Sequence, residues 1–427
     1  MNPIATMPTG GAALFWGIVT FSLLILLHEG GHFVAARAFG VKVHEFMLGL
    51  PGPALTWRSR RSGVRYGVTM IPLGGYVRIA GMEPGSEDAL LAAALSFVAG
   101  RPDTDVDHLS DALDVDNNRA SALLTTLEDY GAAEPAPDGK SSVPLAVREA
   151  GEDDDAFLTR VRSGVFRGQA PWKRVTILSM GVLTNLVTAV VILVVALALW
   201  GVPTAIPSVK AVGAGTPAAI AGIRAGDTIA SVDGVRITTW EQVRQIMLSS
   251  TAGKHVSVGI VRAGRTMTVE TVLVARAGGG AMLGVTAATI NVPMPLAGAF
   301  TMSFSMIGQV FVAVGRLVDP RTFAVSIQGA RSIVGISYEV ANAAAEGPLA
   351  YAWMVALLSL SLGVMNILPI PPLDGGKVAA ELVEGVIRRP IPRRISLALS
   401  AVGTLLLFSL IFYLMYADVM RYIVHPG

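Results

Sequence analysis

Phe21-Ser22-Leu23-Leu24-Ile25-Leu26-Leu27-His28-Glu29-Gly30-Gly31-His32 decides the reading of this chain. An apolar run long enough to belong to a membrane helix carries straight into an H-E-x-x-H pattern. Ionisable groups in a bilayer are costly, so they are rare there and usually functional. Two histidines four residues apart share one helix face, where both can ligate one zinc ion. Glu29, between them, is placed to accept a proton from an attacking water. The pattern predicts metal-dependent hydrolysis carried out inside a membrane.

Composition agrees with a membrane protein. Of 427 residues, 52% are hydrophobic and 15% charged, and the mean hydropathy is +0.58. That is too apolar for an ordinary soluble chain. Cysteine is absent, which removes disulfides and thiolate ligands and leaves His, Asp and Glu to hold a metal. The N-terminus shows no basic n-region and no small-residue cleavage site, so the first apolar segment reads as a retained helix.

Four segments are apolar over the roughly 20 residues that a crossing needs: about Ala12 to Phe39, Val175 to Trp200, Leu349 to Leu368 and Ile395 to Tyr416. A fifth, Pro295 to Val318, contains Ser303, Ser305, Gln309 and Arg316 and reads as an interfacial amphipathic helix. Basic residues flank the membrane in two connections. Arg37, Lys42, Arg58, Arg60, Arg61, Arg65, Arg167, Lys173 and Arg174 lie between spans one and two, and Arg388, Arg389, Arg393 and Arg394 between spans three and four. The positive-inside rule puts both connections in the cytoplasm. The long segment between spans two and three and both termini are then outside.

From Gly63 to Ile79 the chain alternates around Pro72-Leu73-Gly74-Gly75, which predicts a membrane-associated β-hairpin whose edge can take up an extended peptide. Between Glu83 and Arg162 stand 18 acidic and 6 basic residues. This block of about −12 is a unit of its own. His108 to Leu113 and Arg119 to Tyr130 read as helices, and Asp138-Gly139-Lys140 as a hairpin tip. The pattern weakly resembles a winged helix, yet its charge would repel phosphate. No nucleic acid is therefore expected as partner, and a protein-interaction or gating role is. From Ile206 to Val274, the runs Gly222 to Ile229 and Val232-Asp233-Gly234 and a helix from Thr239 to Leu248 resemble a PDZ domain, which accepts peptides along a sheet edge.

Two histidines leave a zinc site one protein ligand short. The third span ends in Asn366-Ile367-Leu368-Pro369-Ile370-Pro371-Pro372-Leu373-Asp374-Gly375-Gly376. Prolines stop the helix, glycines allow a close turn, and Asp374 is the only carboxylate there. On these motifs the chain resembles the site-2 protease family of intramembrane zinc metalloproteases, in particular bacterial members with a single PDZ domain. The resemblance covers roughly the first 82 residues and most of the chain after Gly168. It implies zinc bound by His28, His32 and Asp374, with Glu29 catalytic. It also implies a substrate strand held by Asn366, Pro369 and Pro371, by Asn185 (with Gly181 the family's glycine and asparagine of the second span), and by Gly74 and Gly75 of the β-loop. Lys377 stands where many relatives have histidine, and the acidic block is larger than the usual link.

The expected architecture is a polytopic helical membrane protein with about four spans. Residues 1–82 carry the motif helix and hairpin, 83–165 the acidic cytoplasmic insert and 166–204 the second span. Residues 205–278 form the extracytoplasmic PDZ domain, 279–348 a linker with the interfacial helix, and 349–427 the last two spans. The expected activity is peptide hydrolysis within single-span substrates of a bacterial inner membrane, such as anti-sigma factors or remnant signal peptides, with the lipid bilayer and a peptide ligand of the PDZ domain as further partners. Two other classes compete. A silent scaffold would have no use for Glu29, and a metal transporter would show internal repeats and more spans.

Overall fold

The computed structural model describes residues 10–72, 74–82, 87–136, 140–275, 280–389 and 391–420, except the side chains of residues 318, 328 and 393. The chain divides into two units. One comprises Met1–Leu193 with Thr301–Gly427, the other Val194–Phe300.

In the larger unit, Gly10–Ala38 is one helix of 29 residues. Ala13, Gly17, Thr20, Leu24, His28, Gly31 and Ala35 are buried along it. They recur every three or four residues, the spacing of one helical stripe. Leu14, Phe15, Val19, Leu23 and Val34 are exposed on the other sides, as suits a helix facing lipid. Small residues on the buried stripe let neighbours approach: a Cβ on Gly17 would overlap Ser337, and one on Gly31 would overlap Met180 and Thr184. The helix ends where Gly40 takes a positive φ of 76°. Val41 N–H bonds Ala36 O and Gly40 N–H bonds Arg37 O. This Schellman turn satisfies the last carbonyls and turns the chain directly into a strand.

That strand organises a four-stranded sheet of β1 (Val43–Leu48), β2 (Ala54–Arg58), β3 (Arg65–Thr69) and β4 (Gly75–Ile79), in the order β2-β3-β1-β4. β3 and β4, expected as the two arms of a hairpin, are not neighbours. β1 lies between them, parallel to β3 and antiparallel to β4. The hairpin of this sheet is β2–β3. The connection from Met70 to Gly74 is long enough to cross over β1, and Leu50 N–H on Ile71 O and Gly49 N–H on Gly74 O tie it there. Leu73, in the expected turn, lies outside the described residues. β4 is left as an edge strand.

The acidic insert has a core of its own: Leu91, Leu95, Leu109, Leu123, Leu127 and Phe157 are almost wholly buried. Helices Leu91–Ala99, Val106–Leu113 and Asn117–Asp129 precede the strand pair Ala133–Pro135 and Ser141–Pro144, against which Thr104–Asp105 adds a third strand. Asp105, Asp116 and Asp153 each cap a helix N-terminus, which accounts for part of the acidic count. Of the expected tip, Asp138 and Gly139 lie outside the described residues. Buried Asp129 fastens the insert to the membrane sheet: Gly81 N–H donates to its Oδ2 at 2.7 Å, and His44 and Arg78 stand within 4 Å of its Oδ1.

Five helices among the described residues are long and apolar enough to cross a membrane: Gly10–Ala38, Pro171–Leu199, Leu296–Leu317, Pro348–Ile367 and Arg394–Val419. Val310 and Val314 of the third pack with Ala189 and Leu193 of the second and with Ala356, Leu360 and Val364 of the fourth. The helix read as interfacial therefore packs against its neighbours along one face.

In the smaller unit a sheet runs in the order Arg265–Val272, His255–Arg262, Thr228–Val232, Val202–Val212, Val285–Val292. Helix Trp240–Ser249 starts from a capping box of Thr239 and Gln242, as the sequence T-x-x-Q allows. The strand Val285–Val292, placed in the linker by its sequence, pairs with Val202–Val212. Most of its side chains are exposed, so it lacks the apolar alternation that marks a strand, and only its long-range pairing reveals it. Buried Asp227 takes both Nε and Nη2 of Arg262 at 2.7 Å. This fork holds the Asp227 carboxyl below the usual carboxylate range. The stabilisation is thus complete above the unfolded value of about 3.9 and lost as pH falls through the lower folded value. Arg262→Met takes the guanidinium fork from buried Asp227 and should destabilise the smaller unit near neutral pH. The difference from wild type should shrink below about pH 4. Hydrogen exchange of strands Thr228–Val232 and His255–Arg262 measures it, and a difference unchanged by acid would refute the assignment.

Candidate metal centre

Three buried side chains from two distant parts of the chain meet at one point. Asp374 Oδ2 lies 2.9 Å from His28 Nε2 and 3.0 Å from His32 Nε2. All three residues are buried. The motif helix supplies both histidines by its i, i+4 spacing, with ring centroids 5.0 Å apart. Asp374 is the first residue of helix Asp374–Ile387. The turn before that helix is tight enough that a Cβ on Gly375 would overlap the Ile367 and Leu368 carbonyls, and one on Gly376 would overlap Ile370 and Pro371. The glycines of the L-D-G-G run are thus required by the approach of backbone to backbone.

The outer nitrogens of the imidazoles fix their tautomers. His32 Nδ1 donates to Ile177 O at 2.8 Å, so in the neutral ring Nε2 is the nitrogen left to ligate. Asn185, fully buried, sets its amide 3.2 Å from His28 Nδ1, and its Oδ1 has no partner. Exchanging the two ends of this amide gives His28 Nδ1–H its acceptor and satisfies the orphan oxygen. In that arrangement a neutral His28 ring leaves Nε2 free to ligate. With both rings neutral in these tautomers, two imidazole lone pairs and a carboxylate oxygen converge on one point. Such a set repels itself unless a cation sits between, and two histidines with one carboxylate suit zinc.

Helix Pro171–Leu199 makes room for the rings. A Cβ on Gly181 would overlap Nε2 of His32 and Cε1 of His28. Ser359 hydroxyl donates to Asn185 O at 2.8 Å, tying this helix to Pro348–Ile367. Lys377 Nζ stands 3.4 Å from Asp374 Oδ1, which leaves Oδ2 to the histidines. Glu29 lies beside the centre on the edge of β4: Val77 N–H donates to Glu29 Oε2 at 3.2 Å, and a Cβ on Gly75 would lie 3.8 Å from Glu29 Cγ.

The structure therefore joins His28, Glu29, His32, Asp374, Asn185 and Gly75. Asn185, expected to hold the substrate strand, is buried with its amide against His28 Nδ1. Gly74, with φ of 105°, closes the crossover next to Leu50. Asn366 bonds Leu362 O within its own helix at 2.9 Å. Pro369 is exposed, and Pro371 packs under Gly403. The Ile177 carbonyl and the Val77 amide escaped the sequence reading, because a backbone group has no residue type to announce it.

The model of peptidase family M50 matches residues 16–410. The chain belongs to this family. Metalloprotease MmpA of Caulobacter vibrioides is 28% identical over 438 residues, covering 95% of this chain and 94% of that protein. A "putative zinc metalloprotease" of Mesorhizobium japonicum is 27% identical over 416 residues, covering 94% and 96%. The PDZ domain of an SdrC-like protein from Listeria monocytogenes is similar over 19% of this chain and 84% of its own, at 23% identity and a TM-score of 0.18. The M50 chain is thus a membrane zinc metalloprotease of the site-2 protease type.

If Asn185 orients His28, Asn185→Leu should weaken zinc binding about 10- to 100-fold, whereas Asn185→Asp, which keeps an acceptor, should retain it. Competition with a chromophoric chelator reads both. Equal affinity in the Leu variant would contradict the role.

Proposed function

We propose that this M50 peptidase hydrolyses peptide bonds within or near the membrane-spanning segment of single-span proteins. The observation that carries the proposal is Glu29 poised between the converged donors and the edge of β4. When bound, zinc polarises the scissile carbonyl and makes water acidic enough to react near neutral pH. Glu29 accepts the proton of the attacking water and passes it to the leaving amine. A helical substrate hides its peptide groups and must unwind first. β4 is paired with β1 on one side only, so its free edge can pair with the unwound strand beside Glu29. Gly75 keeps that edge close to Glu29, and Asn366 and Pro369 flank the same end of the bundle.

The helix ends also support a topology. The C-terminal half of the motif helix, the start of Pro171–Leu199 and the end of Pro348–Ile367 all lie at the metal centre, on one side. If Pro171–Leu199 and Pro348–Ile367 each cross once, the chain between them begins and ends on the opposite side. A complete crossing by Leu296–Val318 would need a return, and Ile333–Glu346, at 14 residues, is shorter than the roughly 20 a crossing takes. Four crossings satisfy both facts. Basic connections favour a cytoplasmic metal end and acidic insert in a bacterial inner membrane, with the smaller unit, read as a peptide-binding PDZ domain, outside. The winged-helix-like insert, fastened through Asp129 to the sheet that carries β4, controls access to the site.

Purified protein in detergent tests this with tagged single-span substrates, one short-tailed and one bearing a folded cytoplasmic domain. Wild type should cut both within the span. Glu29→Gln should lose at least about a hundredfold in rate while keeping its zinc. Asp129→Ala should raise cleavage of the domain-bearing substrate alone. Undiminished cutting by Glu29→Gln would overturn the mechanism, and equal effects of Asp129→Ala on both substrates would overturn the access role.

A further inference from the structure

Next to the metal centre, the end of the bundle that holds Asp374 also gathers positive charge. Arg162, Arg167, Arg174, Arg388 and Arg389 line one cavity of about 420 Å³. They come from four places: the last turn of Asp154–Arg162, the turn Phe166–Gly168, the first turn of Pro171–Leu199 and the C-terminal end of Asp374–Ile387. Only two carboxylates, Glu87 and Glu384, share the lining. Glu87 pairs with Arg162, and Glu384 accepts the Ile391 amide at 2.8 Å. Arg174 pairs with Glu381 at 3.2 Å. Even so, the Nε groups of Arg162 and Arg174 are buried without an acceptor. Arg388 and Arg389 have no hydrogen-bond or ion-pair partner among the described residues. Arg388 and Arg389, both exposed, thus bring to the cavity donors and charge that the protein itself leaves unused.

Its surroundings belong to a membrane surface. Trp172, 61% exposed, stands edge-on to Phe39, and Lys173 Nζ lies within 6 Å of both rings. Aromatic and basic residues at a helix end mark the headgroup level. Helix Asp374–Ile387 exposes Leu382, Val383, Val386 and Ile387 immediately before its two arginines, the profile of a helix lying in the interface. A second cavity of about 200 Å³ shares Arg167, Arg174 and Glu384 with the first. Met82, Phe166 and Leu178 give it apolar walls, and it reaches Pro371, Gly376 and Lys377 beside Asp374.

We propose that this double cavity binds an anionic phospholipid, with the phosphate in the arginine-lined part and the start of an acyl chain in the apolar part. Guanidinium forks match phosphate oxygens in pairs, and basic pockets between membrane helices recognise anionic headgroups in the same way. A bound lipid would brace the turn from Pro371 to Lys377, which sets the position of Asp374. The site needs only the membrane location of the chain, so it stands or falls independently of any substrate.

Full-length protein in detergent, titrated with phosphatidylglycerol and followed by native mass spectrometry, tests the site. Wild type should retain phosphatidylglycerol and release phosphatidylcholine. Arg388→Gln with Arg389→Gln should weaken retention about thirtyfold, from roughly 1 kcal/mol per arginine. Both residues are exposed, so the fold should survive. Arg60→Gln with Arg61→Gln, an exposed basic pair outside the cavity lining, should change nothing. Retention unchanged in the first pair, or reduced alike in both pairs, would overturn the site in favour of a diffuse basic belt. Glycerol 3-phosphate binding as tightly as the lipid would overturn the lipid as occupant.

Discussion

Three metal-ligating atoms lie within 4.8 Å of one another inside an apolar bundle, and the larger unit is arranged to keep them there. Left alone, His28, His32 and Asp374 would push apart or take up protons. The bundle denies them that freedom. The Ile177 carbonyl and the Asn185 amide hold the outer nitrogens, Lys377 holds the spare carboxylate oxygen, and Gly181 brings a whole helix against both rings. Building the site this way makes metal binding part of the folding energy of the bundle.

The same constraint explains the odd route of the chain around the site. A Schellman turn at Gly40 leads the chain into β1, and β1 then separates β3 from β4. β4 thereby becomes an edge strand, with one side paired and the other facing Glu29. The acidic insert leaves the chain right after β4 and is bolted to it through Asp129. A domain attached to the strand beside Glu29 is well placed to influence what reaches it.

Much of this was legible in the residues, for identifiable reasons. His28, Glu29 and His32 announce themselves because a local helical spacing does the chemistry, and Asp374 because it is the lone carboxylate in a glycine-rich turn. What escaped depends on pairings across the chain. The order of β1, β3 and β4 is set by which strand fills the gap, and alternation alone cannot report that. Val285–Val292 is mostly exposed, so only its partner strand defines it. Asn185 was visible as a polar residue in an apolar span, yet its partner, His28, is 157 residues away. Leu296–Val318 carries enough polar residues to read as interfacial, and its packing through Val310 and Val314 becomes visible only beside its neighbours.

The central claim is that His28, His32 and Asp374 share one zinc ion. X-ray absorption at the zinc edge of the purified protein tests it most directly. The account predicts one zinc per chain with two imidazoles and oxygen donors at about 2.0–2.1 Å, and loss of an oxygen donor with weakened binding in Asp374→Ala. A zinc shell that is unaltered in Asp374→Ala, or that contains fewer than two imidazoles in the wild type, would contradict it.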